Sequence, residues 1–236
     1  MKILLKTPIN IKKNAITRNL ILSHPISIME KIPIAVLASG RGSNFQAILD
    51  AIDKGECAAE VKVLITDNPE AKAIERAKSK NIPVEIIDKK TIPDREQFDL
   101  EIKKKLDEYE VQLVVLAGYM RIIKSKGLLD AYKYKIINIH PALLPAFKGS
   151  THAQHDAFEH GCKVSGLTIH FVTDDVDGGP ILYQKCVDIS DCNSGDEVAV
   201  KIIKLEHEAY PVVVDSFAKG KHEIQGRRVV YIPREV

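Results

Sequence analysis

Three short stretches gather residue types that could do chemistry. In Asn138-Ile139-His140-Pro141 an amide and an imidazole stand two positions apart. If this stretch ends a β-strand, alternation puts Asn138 and His140 on one face, where both reach a single reacting carbonyl. The amide N–H would stabilise an oxyanion, and an imidazole titrating near ~6.5 can carry protons in either direction at neutral pH. Taken alone, the pair also suits a purely structural role. Asp174-Asp175-Val176-Asp177-Gly178-Gly179-Pro180 is an acidic turn. Its Asp, Gly and Pro residues suit a solvated loop, yet a carboxylate brought beside His140 would favour the imidazolium and fix its orientation. The spacing is not that of a calcium loop, so no metal is expected. In Ser39-Gly40-Arg41-Gly42-Ser43-Asn44 two glycines allow a tight turn into a helix whose first amides could hold an anion. The ending of a P-loop and the third glycine of a dinucleotide fingerprint are both missing, and a plain turn is the other reading.

These stretches need a frame. From Ile34 onward, short β-rich apolar runs alternate with segments of helical period, the pattern of βαβ units and a mainly parallel sheet. Strands are expected at 34–38, 61–65, 84–87, 113–116 and 136–139, the last ending at the Asn-His pair. Helices are expected from near Asn44 to about Gly55, over 70–80 and over 95–109, with Phe45, Ile48, Leu49 and Ile52 on one face of the first. Beyond Gly161, the runs 167–172 and 181–187 read as adjacent strands joined through 174–180, which makes part of the sheet antiparallel. The stretch 196–219 has helical period, and Pro211 is expected to kink or divide it. Gln225-Gly226-Arg227 suits the turn of a small terminal hairpin. The fold class is therefore α/β and Rossmann-like: a mainly parallel twisted sheet, helices on both faces, and an antiparallel C-terminal part.

Composition narrows the partners. The 236 residues are 45% hydrophobic, enough for one substantial core, and a formal net charge of +2 is far from that of a dedicated nucleic-acid binder. Any anionic partner is small and bound locally, with no role for nucleic acid. No apolar run reaches the ~18 residues of a membrane-spanning helix. Cys57, Cys162, Cys186 and Cys192 form no zinc-like or C-x-x-C spacing and read as reduced thiols of a cytoplasmic protein. Residues 1–30 read as an N-terminal extension before a single domain over 31–236. From Met1 to Ile28 it carries Lys2, Lys6, Lys12, Lys13 and Arg18 and no acid, which suits either an organelle transit peptide or an upstream start with Met29 as the natural beginning.

Five motifs in order carry a family resemblance: Ser-Gly-Arg-Gly-Ser-Asn at 39–44, Leu-Ala-Gly-Tyr-Met-Arg at 116–121, Asn-Ile-His-Pro-Ala-Leu-Leu-Pro at 138–145, Asp-Gly-Gly-Pro at 177–180 and Glu-His-Glu-Ala-Tyr-Pro at 206–211. From about Ile34 to the C-terminal region the chain resembles the phosphoribosylglycinamide formyltransferase family and its formyltransferase fold. The resemblance implies transfer of a formyl group from 10-formyltetrahydrofolate, a cosubstrate, to the amine of glycinamide ribonucleotide in purine biosynthesis, by a monomer or homodimer. It implies that Asn138, His140 and Asp177 are catalytic. Gly42, Ser43 and Asn44 would hold the substrate phosphate, with Ile203, Lys204, Leu205 and Glu206 at its other end and Glu206 nearest its amine. Arg95, Met120, Arg121, Ile122, Ile123, Thr173, Asp174, Asp175, Val176 and Asp177 would line the folate pocket together with Asn138. The run Gly149-Ser150-Thr151-His152 is one residue longer than the commoner family pattern. His155, His160 and His170 read as ordinary polar or packing residues.

Related activities share the Asn-x-His core. Methionyl-tRNA formyltransferase needs a further C-terminal domain, and formyltetrahydrofolate deformylase has His-His where this chain has His140-Pro141. A non-catalytic nucleotide-sensing module could use the same frame and glycine loop, but would have no reason to hold the other motifs in this order.

Overall fold

The computed structural model describes residues 30–234. Apart from Glu30, the expected N-terminal extension lies outside the described residues, as does the choice between Met1 and Met29. In chain order the elements are β1 (Ile32–Leu37), α1 (Ser43–Asp53), β2 (Ala59–Thr66), α2 (Ala73–Ser79), β3 (Val84–Ile86), α3 (Arg95–Glu108), β4 (Leu113–Leu116) and α4 (Lys126–Ala131). There follow β5 (Ile136–His140), α5 (Ala153–Glu159), β6 (Val164–Phe171), β7 (Ile181–Asp188), α6 (Gly195–Lys219), β8 (Gly220–Gln225) and β9 (Arg228–Pro233).

The strands form one sheet in the order β3-β2-β1-β4-β5-β6-β7-β9-β8. Pairing is parallel from β3 to β5, then antiparallel through β6 and β7. The hairpin of β8 and β9 joins through one parallel pair, Ile181 with Arg228. Central strands sheathed on both faces must be apolar throughout, and Ile34–Leu37 and Leu113–Leu116 are buried along their length. Alternation then divides the core. Ile34, Val36 and Ala38 pack with α1, α2, α5 and α6, whereas Ala35 and Leu37 pack on the other face with α3 and α4.

Helix starts follow local chemistry. Asp94 caps α3 by accepting from the Gln97 amide, Ser125 caps α4 through Leu128, and Ser194 caps α6 through Glu197. Two differences from the sequence expectation have physical reasons. Among their residues α4 buries only Leu128, and α5 only Ala153 and Ala157, too few to mark a helical period, and neither was expected. Pro211, expected to kink or divide α6, lies buried inside a helix assigned without a break. A proline costs a helix interior about 3 kcal/mol. Burial of Val198, Ile202, Tyr210 and Val214 on the same helix outweighs that, at about 1.5–3 kcal/mol for each large apolar side chain.

Two tethers fasten the C-terminal elements to the rest of the sheet. The buried Tyr210 hydroxyl of α6 lies 2.8 Å from the Leu116 carbonyl and 3.2 Å from the Ile137 carbonyl, tying the helix to β4 and β5. At the tip of the β8–β9 hairpin, Arg227 donates to the Gly178 carbonyl at 3.2 Å.

Candidate active site

The chain order reverses between β1 and β4, which in open α/β sheets opens a crevice at the C-terminal ends of those strands. The loop after β1 and the loop after β4 meet there: Ser39 N–H donates to the Gly118 carbonyl, and Met120 N–H to Ser39 Oγ. A cavity of about 520 Å³ opens at this point and extends across β5 to the β6–β7 turn and α6. Its wall at 118–123, and the two residues that follow, are held by α3. Arg95 donates to the Ile122 carbonyl at 2.6 Å, and buried Asp99 accepts from the amides of Lys124 and Ser125.

Four polar groups converge at the inner end. Asn138 and His140 project from β5, as strand alternation requires, and register across the antiparallel pair places His170 of β6 opposite Asn138. Asn138 Nδ2 lies 3.4 Å from His170 Nε2. Asp177 arrives from the β6–β7 turn, with Oδ2 3.4 Å from His140 Nδ1 and Oδ1 3.4 Å from His170 Nε2. The Gly149 amide donates to Asp177 Oδ2 at 3.0 Å. Burial works against charge on Asp177, but the His170 hydrogen bond, the nearby His140 and the Gly149 amide together hold the carboxyl below its ordinary range.

His140 is almost wholly buried, and its Nε2 lies 3.1 Å from the Phe147 carbonyl. Both ring nitrogens thus face acceptors, the Phe147 carbonyl at Nε2 and the Asp177 carboxylate at Nδ1, and only the imidazolium can donate to both. Burial lowers the imidazole pKa, and this outweighs the opposing pull of Asp177 and of the Phe147 carbonyl. The residue pattern alone points only to the raising effect of Asp177. Desolvation wins here because the ring is enclosed and the carboxylate sits at 3.4 Å rather than at closer hydrogen-bond distance.

Glu206 of α6 lines the same cavity. Asn44 Nδ2 donates to Glu206 Oε2 at 2.8 Å, and Asn44 Oδ1 is buried without a partner among the described residues. With one hydrogen bond against nearly complete burial, the Glu206 carboxyl is pushed up to about 7. Gly42, at a φ of 65°, leads into α1, and an added Cβ there would meet Ala73 Cβ at 2.9 Å. The first-turn amides of α1 have no acceptor within the helix and remain available to an anion.

The cavity therefore brings together Asn44, Met120, Arg121, Ile122, Ile123, Asn138, His140, Thr173, Val176, Asp177 and Glu206. Other expected site residues stand apart from its lining. Ser43 faces a second groove of about 580 Å³ between α1 and α6, and Gly42 supplies only backbone at the start of α1. Ile203, Lys204 and Leu205 form the turn of α6 preceding Glu206. Arg95 acts on the cavity wall rather than lining it. Asp174 is exposed, and Asp175 is engaged by Lys148. His170, read from the sequence as a packing residue, is the fourth member of the polar cluster. Its only sequence signal was its place on the strand leading to Asp177. Among the described residues no group of three or more His, Cys, Asp or Glu side chains could hold a metal ion, and no helix is long and apolar enough to cross a membrane.

Residues 32–214 match the family model described as formyl transferase. The phosphoribosylglycinamide formyltransferase of Bacillus subtilis (strain 168) is 44% identical over 180 residues, 76% of this chain and 91% of that protein. That of Escherichia coli (strain K12) is 37% identical over 188 residues, 80% of this chain and 88% of that one. Among solved structures, glycinamide ribonucleotide transformylase 1 from Symbiobacterium toebii superposes with a TM-score of 0.82 at 42% identity, covering 86% of this chain and 95% of that one. With a cavity at the sheet's switch point, the Asn-His-Asp cluster at its inner end and these relatives over most of its length, the chain belongs to the formyl transferase family.

Proposed function

We propose that this chain is a phosphoribosylglycinamide formyltransferase, moving the formyl group of 10-formyltetrahydrofolate to the amine of glycinamide ribonucleotide in purine biosynthesis. The observation that carries the reading is one cavity lined by Asn138, His140 and Asp177 together with the protonatable Glu206. The bacterial relatives at 44% and 37% identity bear that name.

In this reading the first-turn amides of α1, from Gly42 to Asn44, receive the phosphate, and the 203–206 turn of α6 closes on the glycinamide. Glu206, poised near neutrality, accepts a proton from the incoming ammonium, because a free amine is the nucleophile. The folate lies along Met120–Ile123 and Thr173–Val176, where Ile122, Ile123 and Val176 supply apolar contact and backbone groups read the edge of its ring. The amine attacks the formyl carbon directly. Asn138 Nδ2 and the His140 Nε2–H stabilise the oxygen as it gains charge, once Nε2 exchanges the Phe147 carbonyl for that oxygen. Removal of the amine proton and its delivery to the departing folate nitrogen complete the transfer. As the imidazolium, His140 donates from Nδ1 to Asp177 and from Nε2 to the oxyanion; it passes the Nε2 proton to the departing folate nitrogen and regains one as the attacking amine loses its own, while Asp177 stabilises the charged ring. The chain supplies no covalent intermediate.

The test is a spectrophotometric assay of formyl loss from the folate donor with and without glycinamide ribonucleotide. Loss that requires the amine is the expected result. Loss without it would identify a deformylase, and no loss in either case would overturn the reading.

A further inference from the structure

Resting on the proposed function, the placement of Asp177 raises a question that the four clustered groups do not answer. Asp177 has a φ of 50°, in the left-handed region that a non-glycine residue occupies only when its surroundings impose it. It sits on a turn, Thr173–Gly179, whose Asp174 and Asp175 are exposed, yet must hold one carboxylate between two imidazoles.

The segment after β5 grips that turn at two consecutive residues. Gly149 N–H donates to Asp177 Oδ2 at 3.0 Å, and Lys148 Nζ reaches both oxygens of Asp175 at 2.6 and 2.7 Å. The turn is shaped to admit this pair. A Cβ added at Gly178 would lie 1.9 Å from Asp175 Oδ2 and 2.8 Å from Lys148 Nζ. Gly178 is not in the left-handed region, so its backbone conformation does not call for glycine. Those neighbours are the ends of two flexible side chains, so an added methyl would push the ion pair aside and loosen it. Asp175 is also tied into the turn by its own carbonyl, which accepts from Gly178 N–H at 2.9 Å.

We propose that Lys148 is a positioning residue: by clamping Asp175 it holds the β6–β7 turn against the β5 segment and so keeps Asp177 between His140 and His170. Lys148 touches none of the reacting groups. As an ion pair it contributes little to stability, since its side chains are 37% and 60% exposed and such pairs give about 0–1 kcal/mol. Its effect falls on geometry, where a displacement of about 1 Å can cost up to ~10² in rate.

The test is kinetic, on the full chain, with thermal unfolding as the check on folding. Lys148→Met is expected to lower kcat roughly tenfold with KM for the amine unchanged, and to move the limb of the kcat–pH profile set by His140 downward. The shift follows because Asp177, drawn away, no longer offsets the burial that lowers the imidazole pKa. Asp175→Asn and Gly178→Ala are expected to give similar losses and to add little on top of Lys148→Met, while Lys148→Arg restores most of the rate. A raised KM at unchanged kcat would make Lys148 a ligand contact and overturn the clamp. So would an unmoved pH limb, or fully additive losses. Absence of amine-dependent transfer in the unsubstituted protein would instead remove the proposed function itself.

Discussion

Two carboxylates look into the same cavity, and their surroundings give them opposite character. Asp177 comes from a turn and Glu206 from a long helix, and both are largely buried. Asp177 is met by an amide N–H and two imidazoles and is held below the ordinary carboxylate range. Glu206 is met by one amide side chain and is pushed up to about 7. Burial sets the penalty for charge, but the number and kind of donors decide whether the charge survives. One carboxylate thus serves as a fixed anion beside an imidazole, while the other can gain and lose a proton near neutral pH.

The largest expected way to break this contrast is His140→Ala, which removes the proposed proton carrier and one partner of Asp177. Turnover is expected to fall ~10²–10⁴-fold with folate binding retained; near-normal turnover in the same assay would sink the role given to His140. Next comes Glu206→Gln, read as stability against pH. The folded pKa of Glu206 lies above its unfolded value, so the folded state binds the extra proton and loses stability as pH rises from 4.5 to about 7. The glutamine variant is therefore expected to be more stable than the parent at pH 8, by up to roughly 3 kcal/mol, with the difference vanishing below pH 4.5. Urea unfolding at the two pH values measures this, and equal differences at both would show that Glu206 is not the titrating group. Its KM for the amine is expected to rise.

Asp177→Asn keeps the shape and removes the fixed charge. A loss of roughly 10–10² in kcat is expected, with a changed pH profile; an unchanged profile would uncouple Asp177 from His140. The smallest effect is expected from His170→Phe, which deprives Asp177 of the partner that does most to lower its pKa. Because His170 also lowers the His140 pKa, the limb set by His140 should move upward, with a severalfold loss of rate.

The legible part of the molecule is the part written locally. Alternation in 136–140 placed Asn138 and His140 on one face, and apolar runs located the central strands, because both signals depend only on neighbours in sequence. His170 was hidden for the opposite reason. Its place opposite Asn138 comes from the register of an antiparallel pair 32 residues apart in the chain, which no local period encodes. Lys148 was equally silent, since its meaning lies in the space left by Gly178. Glu206 and Asn44 were found by motif, but their mutual hydrogen bond and the consequent pKa are products of packing. Pro211 shows the reverse case: the division that its type signals locally is absent, outweighed by what the rest of α6 buries.

The Tyr210 hydroxyl, one turn beyond Glu206, has a final consequence. By touching the carbonyls of Leu116 and Ile137 it pins α6 to the strand ends that carry Asn138. The span from the helix carboxyl to the strand amide is thereby a gauge of fixed length, set by a rigid phenol rather than by a loop. Whatever occupies the cavity therefore meets Glu206 and Asn138 on supports that do not rely on a loop.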